Sequence, residues 1–273
     1  MLFRYCIPSS PLSDFVALLW YAEAGPQPHA RERLLPTGTM ELISDLRHDA
    51  PRVYDRENRN QCQTFRGPVI CGAYSEHFVI DTAGQASVMG VHFRPGGAFP
   101  FFRCSAAELH NAHVSLDALW GRAAHGLREQ LLEAKSLSTR FHILESALLA
   151  QLARPLQRHP AVAFALNELN GMAHTRTISD LTRQIALSPK RFIQVFQDQV
   201  GLTPKLFCRI RRFQRVLRLL HTGRRVDWAD LASACGYFDQ PHFIHDFRAF
   251  SGLSPGAYLT VRGEHLNHVP IPG

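Results

Sequence analysis

Along the first hundred residues the apolar positions come in short runs, whereas along the last hundred they recur at helical spacing. Phe15-Val16-Ala17-Leu18-Leu19-Trp20, Met40-Glu41-Leu42-Ile43, Val69-Ile70-Cys71, Phe78-Val79-Ile80 and the run from Ser87 to Phe93 are separated by turns rich in Gly, Pro and Asp. Residues 12–105 therefore read as mainly β, and many short strands point to a barrel or sandwich. From Ser115 the period changes. Leu116, Leu119 and Trp120, then Leu127 and Leu131, then Phe141, Leu144, Leu148 and Leu152 fall at helical spacing. The last stripe serves either the core of this first domain or the pairing of two protomers. Arg154–Pro160 interrupts the pattern, Val162–Leu169 forms one more helix, and Asn170-Gly171 reads as a linker.

The final third repeats itself. The run FIQVFQDQVGLTPKLF from Phe192 recurs as FIHDFRAFSGLSPGAY from Phe243, an offset of 51 residues, and upstream Leu181/Leu231 and Ile185/Cys235 match at 50. In the first copy Ile178, Leu181 and Ile185 lie on one helical face, and Phe192, Val195, Phe196 and Val200 on another. Between them Ser188 suits an N-cap and Pro189 a first helical residue, because the cap oxygen accepts an orphan N–H while proline has none to lose. In the second copy Gly236 fits the turn, Asp239 caps, and Phe243, Ile244 and Phe247 form the buried face. Each copy is thus a helix-turn-helix ended by Gly201 or Gly252. Between them Phe207, Ile210, Phe213, Leu217 and Leu220 trace the apolar stripe of a long helix, with Arg209, Arg211, Arg212, Arg215 and Arg218 around the rest of its circumference. Stacked helix pairs also build solenoids, but two copies are few for that.

Charge follows the repeat. Residues 171–273 hold 14 Lys+Arg against 7 Asp+Glu, and residues 1–170 hold 16 against 16, so the whole +7 of the chain lies on the helical third. Phosphate neutralisation is what such a bias supplies. With Phe192, Val195 and Phe196 inward, Lys190, Arg191, Gln194 and Gln197 face outward, where Lys or Arg suits guanine and Gln suits adenine. His242 and His245 are spaced as one exposed face, and two solvated imidazoles explain them better than zinc, since no Cys or carboxylate completes a tetrahedron. At 273 residues and 45% apolar composition the chain has material for two packed cores. The six cysteines form no CxxC and read as buried small hydrophobes. No long apolar stretch or signal-peptide pattern occurs, so a cytoplasmic protein is expected.

From about Thr177 to Tyr258 the chain resembles the AraC/XylS family of bacterial transcription regulators. The motifs are LTRQIALSPKRFIQVFQDQVGLTPKLF, the arginine-rich connecting helix, and LASACGYFDQPHFIHDFRAFSGLSPGAY. The resemblance implies that the second helix of each unit enters the major groove of double-stranded DNA. It puts base contacts on Lys190, Arg191 and Gln194 in the first unit and on Gln240, His242 and His245 in the second. Pro241 departs from the family pattern and removes a backbone donor near a helix start.

PTGTMELI (Pro36–Ile43), GVHFRPGGAFPFF (Gly90–Phe102), Trp20 and LDALWG resemble the sensor-side domain of one group of these regulators. That implies a cupin-like β domain binding a small molecule, with Glu41 and Arg94 placed near a pocket; a structural ion pair or capped turn is the alternative for both. The expected fold is α+β with two domains. Residues 1–170 form a β-rich sensor domain with trailing helices from about 115. Residues 171–273 form an all-α DNA-binding domain with helix-turn-helix units at about 177–201 and 228–252. No cofactor, metal or membrane is expected; the partners are DNA, RNA polymerase for an activator, a small-molecule effector and a second protomer. Two rivals remain: a metal-dependent cupin-type enzyme using His77, His92 and Glu41, or a β domain that only dimerises or binds a protein.

Overall fold

In the computed structural model the described residues are all except 1, 26, 48–50, 57, 59, 83–86, 172–177, 224–226 and 273. The first part is two antiparallel sheets. One has six strands in the order β1 (Leu2–Cys6), β2 (Val16–Glu23), β9 (Ser87–Phe93), β4 (Glu41–Asp45), β7 (Val69–Cys71), β10 (His113–Ser115). The other runs β11 (His268–Ile271), β3 (Arg31–Leu34), β8 (Phe78–Asp81), β5 (Arg52–Tyr54), β6 (Cys62–Thr64). Every apolar run read as a strand is one, because alternate residues can be buried on a pleated surface. Leu19, Leu42, Ile70 and Val91 pack into the main core with Leu127, Leu131, Leu144 and Leu148. Cys71, Tyr74 and Phe78 form a smaller core with Leu34, Ile43 and Ile80 of both sheets.

Helices α1 (Leu116–Trp120), α2 (Arg122–Glu133), α3 (Leu137–Ala150) and α4 (Pro160–Gly171) follow. Phe141, Leu144 and Leu148 are buried, so the α3 stripe is core; Leu152 lies beyond the helix end and is exposed. The helix α4 takes in Asn170-Gly171, the pair read from sequence as a linker, and ends at that glycine. Cys62 is exposed, unlike the buried Cys71 and Cys235.

The helical third contains α5 (Ile178–Gln184), α6 (Pro189–Val200), α7 (Pro204–Leu220), α8 (Trp228–Ala234), α9 (Gln240–Ser251) and α10 (Pro255–Val261). The caps are those the repeat requires. Ser188, Thr203, Asp239 and Ser254 each accept a hydrogen bond from a first-turn N–H. Gly201 and Gly252 close α6 and α9 with φ of 84° and 70°, a conformation that costs a residue with a Cβ.

The two parts are packed together. The α7 stripe is fully buried, and Gln214, buried beside it, donates to the Pro36 carbonyl and to Asn267 Oδ1, both at 2.8 Å. Near the end of α6, Gln199 accepts from the His159 N–H at 3.1 Å and Asp198 from the Ser105 hydroxyl at 3.0 Å. β11, which follows the helical third, pairs with β3 in the β domain, with His268 opposite Leu34 and Ile271 opposite Arg31.

Candidate nucleic-acid interface and a cavity between the sheets

The outward residues of α6 and α9 are where the periodicity placed them. Lys190, Arg191 and Gln194 are exposed on the first half of α6, with Arg191 Nη1 donating to Gln194 Oε1 at 3.0 Å. Gln240 and His245 are exposed on α9, while His242 is half-buried, edge-on to the Tyr237 ring with centroids 5.3 Å apart. His242 Nε2 lies 3.9 Å from Asp246 Oδ2. Phe238, in the turn before the Asp239 cap, is 92% exposed, the most open of the exposed large apolar side chains among the described residues. Sequence reading passed over it, although an aromatic directly after Gly236-Tyr237 in a turn was a visible signal.

Two of the arginines on α7 do not face solvent as free charges. Arg209 Nη2 donates to Asp246 Oδ1 at 2.7 Å, its Nε reaches both carboxylate oxygens at 3.2 and 3.3 Å, and its guanidinium sits 5.2 Å from the Phe250 ring. Arg212 Nη1 donates to the Gly236 carbonyl at 3.0 Å and lies 5.1 Å over the Tyr237 ring. Helix α7 therefore grips the second unit at its turn and at its recognition helix. Lys190, Lys205, Arg218 and Arg248 are exposed cations.

A second feature lies between the sheets. A cavity of about 220 Å³ is walled by Leu34, Ile43, Tyr74 and Phe78, floored by Glu41, and bounded on one side by the segment His265–His268. Glu41 on β4 stands opposite His92 on β9, and His92 Nδ1 meets Glu41 Oε1 at 2.6 Å. Burial alone would push the Glu41 carboxyl up. The His92 hydrogen bond and charge, with His268 beyond, outweigh it and hold the carboxyl below its ordinary value. Burial likewise opposes the charge on His92, and the Glu41 carboxylate outweighs it and raises that group. Arg94 is elsewhere: it is exposed, with Nε donating to the Ser13 carbonyl at 2.8 Å, and does not line the cavity. His77 packs against Gly252 rather than joining Glu41 and His92. Among the described residues no three His, Cys, Asp or Glu side chains are grouped to hold a metal, and no helix is long and apolar enough to cross a membrane.

Comparison with known proteins gives two family matches: a helix-turn-helix domain over residues 181–260 and a domain of unknown function over residues 4–115. The probable transcriptional regulator LumQ of Photobacterium leiognathi is 27% identical over 82 residues, 30% of this chain and 33% of that protein. The match thus spans about a third of the curated relative. Among solved structures, ToxT of Vibrio cholerae aligns over 95% of this chain and 98% of its own, at 9% identity and a TM-score of 0.47. A DNA-binding transcriptional dual regulator of Escherichia coli K-12 aligns over 40% of this chain and 96% of its own, at 22% identity and a TM-score of 0.32.

Proposed function

We propose that this chain, whose residues 181–260 are an AraC-type helix-turn-helix domain, is a sequence-specific DNA-binding regulator of transcription acting in the cytoplasm. The observation that carries the reading is the pair of capped recognition helices, each presenting an exposed polar edge, fixed to one rigid α7. Residues 1–170, completed by β11, are the sensor, and the helices α5 to α10 are the DNA-binding part; the strand β11 departs from the all-α reading of residues 171–273. On that reading α6 and α9 enter successive major grooves about one helical turn apart, and each protomer reads a long asymmetric site. Lys190, Arg191 and Gln194 read one half. Gln240, His242 and His245 read the other, and Phe238 adds an apolar face of the kind that meets a thymine methyl. A small molecule held in the β domain controls the protein, a role supported by the cavity at Glu41; ToxT, for comparison, has been solved with an unsaturated fatty acid bound. RNA polymerase and a second protomer are the further partners of an activator.

The test is selection of bound sequences from randomised duplexes by the full chain, followed by affinity measurement at several salt concentrations. A specific motif is expected, with log affinity falling by about 0.9 per phosphate contact for each unit of log salt. No enrichment of any sequence would refute the reading.

A further inference from the structure

From the residues that line the cavity between the sheets, and resting on the reading of the β domain as a sensor, we infer that its ligand is a small molecule with an ammonium or other hydrogen-bond-donating head that binds Glu41 and an apolar body that fills the space between Leu34, Ile43, Tyr74 and Phe78. A carboxylate or phosphate ligand is disfavoured.

The donor set decides this. No lysine or arginine lines the cavity. Two histidines do, His265 and His268; their rings lie 6.0 Å apart, and His268 already meets Glu32 Oε2 through Nδ1 at 2.8 Å. His92, behind Glu41, is committed on both ring nitrogens: Nδ1 to Glu41 at 2.6 Å and Nε2 toward Thr39 Oγ1 at 3.3 Å. An incoming anion would meet the Glu41 carboxylate with no lysine or arginine to offset it, a costly way to bury a charge. Glu41 is the opposite case. Its Oε1 is taken by His92, but Oε2 has no hydrogen-bond partner among the described residues. Its side chain keeps 28% of its area open although it sits on a central strand, because it faces the cavity. An acceptor facing a cavity asks for a donor, and an ammonium satisfies it more strongly than a hydroxyl.

Size agrees with a compact ligand. The cavity of about 220 Å³ falls below the range of roughly 300–1,000 Å³ that holds drug-sized molecules. One of its walls is Leu266, Asn267 and His268, from the chain beyond α10.

Three probes of one shape and three charges test this on the full chain: phenethylamine, 2-phenylethanol and phenylacetate, measured by calorimetric titration and thermal shift. Phenethylamine should bind at least about tenfold more tightly than phenylacetate, with the alcohol between. In Glu41→Gln the advantage of amine over alcohol should fall to within about twofold, since a neutral amide offers the ammonium no charge. Ile43→Phe, which narrows the cavity and leaves the Glu41–His92 pair in place, should abolish binding of all three, and it decides the location if Glu41→Gln does not fold. Phenylacetate binding as tightly as phenethylamine would overturn the ligand class and leave the sensor reading standing. No binding by any probe at about 10 mM would likewise overturn the ligand class and leave the sensor reading standing, because a ligand of the native state must stabilise it. Phenethylamine binding unchanged in both variants would place the site elsewhere and overturn the assignment.

Discussion

Removing the Arg209 guanidinium should destabilise the second helix-turn-helix more than any other single change to the exposed side of α7. Asp246 is 1% exposed and takes hydrogen bonds from Arg209 at 2.7, 3.2 and 3.3 Å. In Arg209→Ala that carboxylate stays buried with only His242, at 3.9 Å, within reach. Breaking a buried pair by deleting one partner costs about 3–5 kcal/mol, and Arg209 keeps 29% of its side chain open, which puts the loss near the lower end. At 2–4 °C per kcal/mol for a chain of this size, about 3 kcal/mol lowers the melting midpoint by roughly 6–12 °C. The repeat supplies the control. Asp246 occupies the position that Val195, an apolar residue, holds in the first copy. Asp246→Val combined with Arg209→Leu should therefore recover most of the loss, since an apolar pair of similar volume commonly replaces a buried ion pair at little cost. Thermal melts of the full chain followed by far-ultraviolet circular dichroism measure both. An Arg209→Ala midpoint within about 2 °C of the parent, or a double variant worse than the sum of its singles, would refute the reasoning.

Sequence reading is tested by Gln194→Ala and His245→Ala: each should relax preference at one or two positions in its own half of the selected site, by about 1–3 kcal/mol per base contact, and an unaltered motif in both would remove these helices as readers. Phe238→Ser should leave the melting midpoint unchanged and weaken binding to the selected duplex, and replacing one thymine by uracil should weaken the parent chain but not the variant. Leu148→Glu places a charge where the side chain is fully buried, so circular dichroism should show loss of folding rather than a folded monomer. His113, hydrogen-bonded to Tyr74 at 2.6 Å, is pushed down to about 4 by burial. The unfolded chain binds that proton first, so its contribution is intact above the ordinary histidine value of about 6.5 and is lost as pH falls from there toward 4. Urea midpoints of His113→Phe should fall less across that window than those of the parent.

Much of the helical third was legible because both copies carry local instructions: a capping side chain, a first-turn proline, an apolar face and a closing glycine. Such signals act over a few residues and need no partner. The strands that escaped reading lack them. β3 is Arg31-Glu32-Arg33-Leu34, and β11 is His268-Val269-Pro270-Ile271; β3 is held between β8 and β11, and β11 is a strand because β3 supplies its hydrogen bonds from more than two hundred positions away. The arginines of α7 read as solvent-facing for the same reason: the Asp246 carboxylate that claims Arg209 belongs to another helix, and only packing brings it there. Glu41 and His92 were each visible as polar residues in apolar strands. Their pairing depended on the register of β4 against β9, which a single sequence does not state.

The glycines that end the two recognition helices occupy equivalent places in the repeat, and both come to rest on one short stretch of the β domain. A methyl group at Gly201 would stand 3.2 Å from Ala73 Cβ, and one at Gly252 would stand 2.5 Å from His77 Cε1. That stretch, with the Ala106 carbonyl 3.0 Å from the same point at Gly201, works as a calliper: the ends of α6 and α9 rest on residues outside the half that carries them. Its neighbours Cys71, Gly72, Tyr74 and Phe78 form part of the cavity wall. A displacement of this stretch reaches both jaws together, so on the proposed long operator the two halves would gain or lose their grip in step, and the response of the regulator would be all-or-none at the level of a single chain.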